Sequence, residues 1–147
     1  GIRDRDVTGV QRVLFRSEET RYYLNGIYFH DVAAGGLLRA VATDGHRLAQ
    51  AQIARPDGAK GMPGVIVPRK TVLEVVKLFE GVDGAVEVSL SAAKIRFSAG
   101  DLVLTSKLID GTFPDYERVI PTGNDKVLEA ERQALFDALA RGHPELD

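Results

Sequence analysis

The chain has 147 residues, of which 44% are apolar and 27% charged, a composition typical of a soluble globular protein rather than a disordered one. It has no cysteine, which excludes disulfides, thiolate catalysis and cysteine-based zinc sites. Nineteen Lys and Arg against 21 Asp and Glu give a formal net charge of −2, which argues against a uniformly basic nucleic-acid binder. No apolar run is long enough to cross a bilayer and no secretory signal is visible, so we expect a cytoplasmic protein without a membrane partner.

The N-terminal segment, residues 1–18, differs in pattern from the rest of the chain. Charged and single apolar residues alternate there without a period of 2 or 3.6, apart from the short run Val13-Leu14-Phe15. The segment has two interpretations, a translated artefact of sequence assembly or a flexible N-terminus. Under both interpretations no function is derived from it.

The first ordered region is rich in aromatic and β-branched residues, with turn signals between its apolar segments. The pair Asp44-Gly45 indicates a tight hairpin with a type I′ turn, whose two central residues need positive φ. A loop rich in Pro and Gly follows at residues 55–64. The pattern predicts strands at residues 21–32, 37–42 and 47–53.

The second ordered region alternates strands with one amphipathic helix over residues 69–80. Its apolar residues follow the i, i+3, i+4, i+7 spacing of one buried face, at Val72, Leu73, Val75, Val76 and Phe79. Strands are predicted at residues 65–67, 85–90, 94–98 and 102–108, and a last helix at 131–141 after an extended connection. Together these elements predict an α+β fold, with a helix packed on one face of an antiparallel sheet.

Two cations, Arg69 and Lys70, stand at the first turn of the predicted helix, where they oppose the helix dipole. An anion at this place would bind free backbone N–H groups and both side chains, so the pair is a candidate phosphate contact. Two solvated surface cations explain the same residues equally well.

Arg21, Tyr22 and Tyr23 form a second candidate contact with nucleic acid, because a cation beside aromatic rings pairs with phosphate and stacks on bases. The plainer alternative is that the aromatic rings fill a core, as they usually do on strands.

The predicted hairpin also permits an enzyme hypothesis, in which Asp44 and His46 act as a base and its orienting partner. His30 and Asp31 would add metal ligands, giving a small metal-dependent hydrolase. The sequence contains no HExxH, GxSxG or Walker-type motif, which favours a hairpin whose tip residues are simply packed.

Five strings across residues 20–130 resemble one family in order and spacing: RYYLNGIYF, VATDGHRLA, VIVPRK, LTSKLIDGTFPDY and RVIP. The family is that of the bacterial replicative sliding clamp, the beta subunit of DNA polymerase III. The resemblance implies a DNA clamp fold with an incomplete domain. Residues 19–122 would be the middle domain without its first strand and helix, and residues 123–147 a linker and the truncated start of the third domain.

The same resemblance implies a processivity factor without catalytic residues, metal or cofactor. In the full-length family member, two chains form a homodimeric ring that encircles duplex DNA without sequence specificity. The positions matching DNA contacts are Arg69, Lys70, Arg21, Tyr22 and Tyr23. Polymerase, clamp loader and repair proteins would bind through a short linear peptide, in a groove whose matching positions are Leu24, Thr43, Gly45, His46, Arg47, Leu48, Pro114 and Val119. The alternatives are a stand-alone peptide-binding domain that never encircles DNA and, from another class, the small metal-dependent hydrolase.

Overall fold

A computed structural model describes residues 21–142 of the chain. The chain divides into two units, Gly1–Pro114 and Asp115–Asp147. The helices and strands are β1 Gly26–Val32, β2 Leu37–Thr43, β3 Leu48–Ala54, β4 Val65–Pro68, α1 Arg69–Phe79, β5 Glu87–Leu90, β6 Lys94–Ala99, β7 Leu102–Lys107 and α2 Arg132–Gly142, with short 3-10 helices at Arg21–Asn25, Ala33–Gly35 and Tyr116–Val119.

The first sheet is antiparallel and has the strand order β3-β2-β1-β4. Its inner strand β1 contains the run Ile27-Tyr28-Phe29 and β4 the run Val65-Ile66-Val67, residue types that favour strands. The register places Phe29 of β1 between Ala40 of β2 and Val65 of β4. Val41, in the centre of β2, is completely buried.

The predicted strand at residues 21–32 is wrong for its first part, because Arg21–Asn25 form a 3-10 helix and β1 begins only at Gly26. The reason is the absence of pairing partners for an extended chain at this place. Gly26 pairs with Pro68, after which the neighbouring chain turns into helix α1. Tyr22 and Tyr23 therefore have no neighbouring strand with which to form backbone hydrogen bonds, and the tertiary structure overrides their preference for strands.

The second sheet has the order β5-β6-β7, also antiparallel, and it meets the first sheet through β4. The backbone N–H of Ile109, just after β7, donates to the carbonyl of Ile66 at 2.9 Å. Between the sheets lies a core of Val65, Val67 and Ile95, with the side chains of Phe29, Met62, Val72, Leu90, Phe97 and Leu108 packed against it. The α+β class is confirmed, with the antiparallel strands in two sheets.

Helix α1 is packed over a narrower face than its apolar pattern predicts. Phe79 is buried and Val72 is half-buried, and Thr71 lies 2.6 Å from Ser106 of β7, oxygen to oxygen. Leu73 and Val76, predicted on the same face, remain 58% and 64% exposed. The apolar stripe is thus wider than the surface that β1, β4 and β7 offer, and one apolar flank of α1 stays uncovered.

The second unit contains helix α2, which is capped by Glu131 immediately before it. The two carboxylate oxygens of Glu131 accept from the N–H groups of Gln133 and Ala134 at 2.7 and 3.0 Å, which satisfies donors that a helix start otherwise leaves free. Val127 and Leu128 upstream are 83% and 87% exposed. Over residues 21–142, neither helix has the length and apolarity needed to cross a membrane.

Candidate functional site

The loop between β2 and β3 is organised by the side chain of Asp44. Its Oδ1 accepts from the backbone N–H groups of His46 and Arg47 at 2.9 and 3.0 Å, and its Oδ2 accepts from Nε of Arg47 at 2.8 Å. Gly45 has a φ of 91°, but no residue type other than glycine has positive φ in the described part of the chain. The predicted type I′ turn is therefore wrong, because the Asp44 side chain stabilises a wider turn with negative φ at its own position.

Thr43 closes this loop from the other side. Its hydroxyl donates to the carbonyl of Arg47 at 2.9 Å and accepts from the N–H of Gly45 at 3.2 Å. The amide N–H groups of His46 and Arg47 lower the pKa of Asp44 to about 2, so its carboxylate is charged at neutral pH. The loop is thus held by contacts among neighbours in sequence, with the Arg47 charge already compensated.

An open groove of about 490 Å³ lies between this loop and the start of helix α1. Its floor is apolar and comes from β1, β2 and β3, one wall is the hairpin loop, and the other wall is the first turns of α1. Apolar surface with a few charged groups at its margin is typical of a ligand site. The groove is lined by Leu24, Gly26, Ile27, Ala42, Thr43, Asp44, Arg47, Leu48, Ala49, Arg69, Val72 and Leu73.

Four of the eight predicted peptide-binding residues line this groove, namely Leu24, Thr43, Arg47 and Leu48. Gly45 and His46 lie at the exposed tip of the hairpin, outside the lining. Pro114, at the end of the first unit, is exposed and does not line the groove, and Val119 belongs to the second unit, where it is 71% exposed.

Sequence reasoning missed the rest of the floor and the helix wall: Ile27, Ala42, Ala49, Val72 and Leu73. Strand alternation carried part of the signal, since Ala42 pairs with Ala49 across β2 and β3 and both small side chains leave room above the sheet. For the helix wall, the spacing of apolar residues in α1 predicted an apolar face. It did not predict which residues of that face would remain exposed to line a groove.

The predicted phosphate contacts Arg69 and Lys70 occupy the first turn of α1, and both are exposed. The residue before them is Pro68, which has no capping side chain, and the first turn contains no acidic residue. This arrangement favours an anion at the helix start. Arg69 also lines the groove, although the sequence predicted it only as a DNA contact.

Tyr23, predicted as a DNA contact, packs within the fold. It is half-buried, and its ring lies edge-on to Phe113 with 5.8 Å between ring centroids. Phe113 in turn stacks on Tyr28 at 4.7 Å. The alternative of aromatic rings filling a core is therefore supported at Tyr23, whereas the side chains of Arg21 and Tyr22 lie outside the described part of the structure.

The metal-hydrolase hypothesis is wrong for the four residues proposed. Asp31 pairs across the sheet with Leu38, and Asp44 lies six residues further along the chain. At a rise of about 3.3 Å per strand residue, His30 and Asp31 are separated from Asp44 and His46 by about 20 Å. No group of three or more His, Asp or Glu side chains within residues 21–142 is placed to hold a metal ion.

Asp31 has a structural partner instead. Its oxygens accept from Nη1 of Arg55 and from the N–H of Gly61, each at 2.8 Å, and only 7% of its side chain is exposed. The Arg55 hydrogen bond, followed by that of Gly61, lowers the pKa of Asp31. Through these two contacts the Asp31 carboxylate binds the loop at residues 55–64 to the end of β1.

Comparison with known proteins gives a consistent result over most of the chain. Residues 7–115 match the family model of the DNA polymerase III beta subunit, central domain. The beta sliding clamp of Caulobacter vibrioides is 53% identical over 132 residues, which is 88% of this chain and 36% of that protein. The beta sliding clamp of Escherichia coli K12 is 47% identical over 126 residues, 84% of this chain and 33% of that protein.

Solved structures agree with these relatives. A sliding clamp from Bartonella birtlesii bound to griselimycin is 61% identical, with a TM-score of 0.75, and the match covers 84% of this chain and 34% of that one. A Caulobacter crescentus beta sliding clamp with bound PEG is 54% identical, with a TM-score of 0.77, over 84% of this chain and 33% of that one. The chain spans about a third of the length of the curated relatives it matches. It belongs to the DNA polymerase III beta subunit family, the beta sliding clamps, and matches their central domain.

Proposed function

We propose that the chain is part of a processivity clamp, a non-catalytic ring of two chains that encircles duplex DNA and tethers polymerase, clamp loader and repair proteins. The ring is proposed for a chain of the relatives' full length, of which this chain spans about a third. Within it, the groove between the β2–β3 loop and α1 receives a short linear peptide from each partner.

The observation that carries this proposal is the convergence of Leu24, Thr43, Arg47 and Leu48 on one groove. These residues come from separate elements, and family resemblance alone assigns them to partner binding. Leu24 and Leu48 supply apolar contact area, while Thr43 and Arg47 form a polar rim. The relative bound to griselimycin supports a ligand-binding groove in this family.

The DNA contact is assigned to the exposed start of α1. The first turn of this helix contains no acidic residue, so the charges of Arg69 and Lys70 are available to phosphates. Contacts of this kind recognise no base, which suits a ring that must slide. Arg21 and Tyr22 remain predictions as DNA contacts, and Tyr23 contributes mainly by packing on Phe113.

The groove is tested by titrating this chain with labelled griselimycin, using fluorescence anisotropy, before and after Leu48→Ala. Truncation of a central apolar contact is expected to weaken binding about tenfold. The matched control is Ile53→Ala, on the same strand but outside the groove lining and 60% exposed. Equal weakening by both substitutions, or by neither, would remove the groove from the binding site.

The DNA contact is tested in the complete protein by measuring affinity for duplex DNA across a salt series. Lys70→Ala is expected to reduce the slope of log affinity against log salt by about one for each phosphate that this side chain neutralises. Lys60→Ala, an exposed cation in the loop at residues 55–64, serves as the control. An unchanged slope for Lys70→Ala would exclude Lys70 as a contact, and no DNA retention at all would favour the stand-alone peptide-binding domain.

A further inference from the structure

One face of the second sheet carries a cluster of cations that the proposed clamp function does not use. Side chains alternate along β6, so Lys94 and Arg96 lie on the same face, opposite to that of the buried Ile95. The register of β6 and β7 places Lys107 directly across from Lys94. All three cationic side chains are exposed. Lys94, Arg96 and Lys107 together form the β6–β7 basic patch.

The β6–β7 basic patch lies on the face of the sheet that is turned away from helix α1. Ser106, the residue before Lys107, contacts Thr71 of α1 at 2.6 Å between the two hydroxyl oxygens, so the side chain of Lys107 extends from the other face. The patch is therefore separate from Arg69 and Lys70 at the start of α1. It is also separate from the groove, whose lining contains no residue of β5, β6 or β7.

The charges of the patch are not compensated by the part of the chain that the structure describes. None of its three side chains forms an ion pair or a hydrogen bond with a residue in the range 21–142. Lys94 and Lys107 are direct cross-strand partners, and two like charges in that position destabilise a sheet. An anionic partner would remove this repulsion.

The acidic residues of this region leave the surplus of positive charge in place. Glu87 of β5 extends from the same face, but its register partner is Ser98, two residues beyond Arg96, and within residues 21–142 it forms no ion pair. Asp101 and Asp110 follow β6 and β7 in the chain and lie outside both strands. On the strands of this face, three cations thus stand against one carboxylate.

We propose that the β6–β7 basic patch binds an extended acidic segment of a partner protein, in which aspartate or glutamate alternates with other residues. Lys94 and Arg96 are two strand residues apart, which corresponds to about 6.6 Å. Carboxylates at alternate positions of an extended chain recur at the same spacing, so two of them can pair with Lys94 and Arg96. The guanidinium of Arg96 can hold its carboxylate through two parallel hydrogen bonds, and Lys107 adds a third positive charge beside Lys94.

The other side chains of this face favour a polypeptide over a single-stranded nucleic acid. The register places Ser89, Ser98, Val103 and Thr105 around the cations, and none of the strand residues on this face is aromatic. Proteins that bind single-stranded nucleic acid stack its bases on aromatic side chains. Hydroxyl groups donate to carboxylates and to backbone carbonyl groups, both of which an acidic peptide provides.

The test titrates this chain, isotopically labelled for NMR, at low salt with the peptide Gly-Ser-Glu-Thr-Glu-Thr-Glu-Ser-Gly. The amide signals of β6 and β7 are expected to shift. Gly-Ser-Thr-Glu-Glu-Glu-Thr-Ser-Gly has the same composition without the alternation, and it should bind about threefold more weakly because one exposed ion pair is lost. Binding of both peptides should weaken as salt is raised, because exposed charge pairs are screened.

Substitutions then assign the binding to the patch. Combining Lys94→Gln, Arg96→Gln and Lys107→Gln should weaken the alternating peptide about tenfold, because three modest ion pairs are lost together. The matched control is Lys60→Gln, which removes one exposed cation from the loop at residues 55–64 and should leave the affinity unchanged.

The single substitution Lys107→Gln separates a binding role from a structural one. It should weaken peptide binding about threefold and raise the midpoint of thermal unfolding by about 1–4 °C, since it removes the repulsion between Lys94 and Lys107. A cation with a merely structural role would lower the midpoint, and that result would overturn the proposal.

Three other results would also overturn the proposal. The first is the absence of shifts in β6 and β7 at millimolar peptide, and the second is equal affinity for the two peptides. The third is stronger binding of a short oligothymidylate or DNA duplex to the same amides, lost in the triple variant, because it would assign the patch to nucleic acid.

Discussion

The two walls of the groove are stabilised by contacts of different range. The hairpin wall is held by hydrogen bonds among Thr43, Asp44 and Arg47, each spanning no more than four residues of sequence. The helix wall depends on partners far away in the chain, such as the Thr71–Ser106 contact, 35 residues apart in sequence. One wall is therefore built locally, and the other exists only when the sheets have assembled.

This difference in range fits the outcome of the sequence predictions: residues of the hairpin wall were predicted for the groove, whereas Val72 and Leu73 of the helix wall were not. The sequence located the hairpin from the Asp44-Gly45 pair, although it predicted a type I′ turn where the structure has a turn stabilised by the Asp44 side chain. The exposed flank of α1 depends on how much of the helix the sheets cover. Residue order in α1 alone does not determine that coverage.

The largest expected effect comes from breaking the core beneath the helix wall. Ile95 is 1% exposed and packs with Val65 and Val67, against which Val72 of α1 also packs. Ile95→Ala removes this packing and leaves a cavity, so the free energy of unfolding should fall by about 2–5 kcal/mol in urea titrations. The control Val103→Ala, 59% exposed on the neighbouring strand β7, should change it by less than about 0.5 kcal/mol. A similar decrease for both would refute the assigned core.

A smaller decrease in stability is expected at Gly26, in the floor of the groove, where β1 pairs with β4 just before helix α1. A Cβ added there would lie 2.6 Å from the carbonyl oxygen of Val67 and 2.8 Å from Cγ2 of Ile66. The backbone must shift to relieve this overlap, so Gly26→Ala should destabilise the fold by about 1–3 kcal/mol, measured by thermal unfolding. Gly142→Ala adds the same methyl group in open space and should leave the midpoint nearly unchanged. An unaffected Gly26→Ala protein would contradict the close approach of β1 to β4.

The smallest expected effect is a pH dependence of the hairpin wall, which arises from the titration of Asp44. Because the folded-state pKa of Asp44 is lowered to about 2, its stabilising contribution is present above its ordinary pKa near 4 and disappears as pH falls towards 2. The amide NMR signals of His46 and Arg47 should titrate with a midpoint of about 2. Asp44→Asn should abolish that titration. A midpoint near 4 would show that the loop hydrogen bonds do not persist in solution.

Most regular elements followed from local pattern. The helix predicted at residues 69–80 is observed at Arg69–Phe79, and the strands predicted at 37–42 and 47–53 are observed at Leu37–Thr43 and Leu48–Ala54. The segment Arg21–Asn25 was predicted wrongly because strand propensity describes a residue's fit to a sheet that must already be present. The pairing of β1 with β4 ends at Gly26 and Pro68, where helix α1 begins.

The family could be identified from the sequence strings, and one groove is lined by four of the eight residues predicted to bind peptide, whose binding role stays a prediction. The sequence by itself determined the antiparallel α+β elements, the position of the β2–β3 hairpin and the cations at the start of α1, because these depend on neighbours a few residues apart. Only the tertiary structure decided that Arg69 belongs to the groove, that Tyr23 packs on Phe113, and that His30 and Asp31 lie about 20 Å from Asp44 and His46. Those outcomes depend on which strands pair and how far a helix covers them, and both are settled by packing among residues distant in the chain.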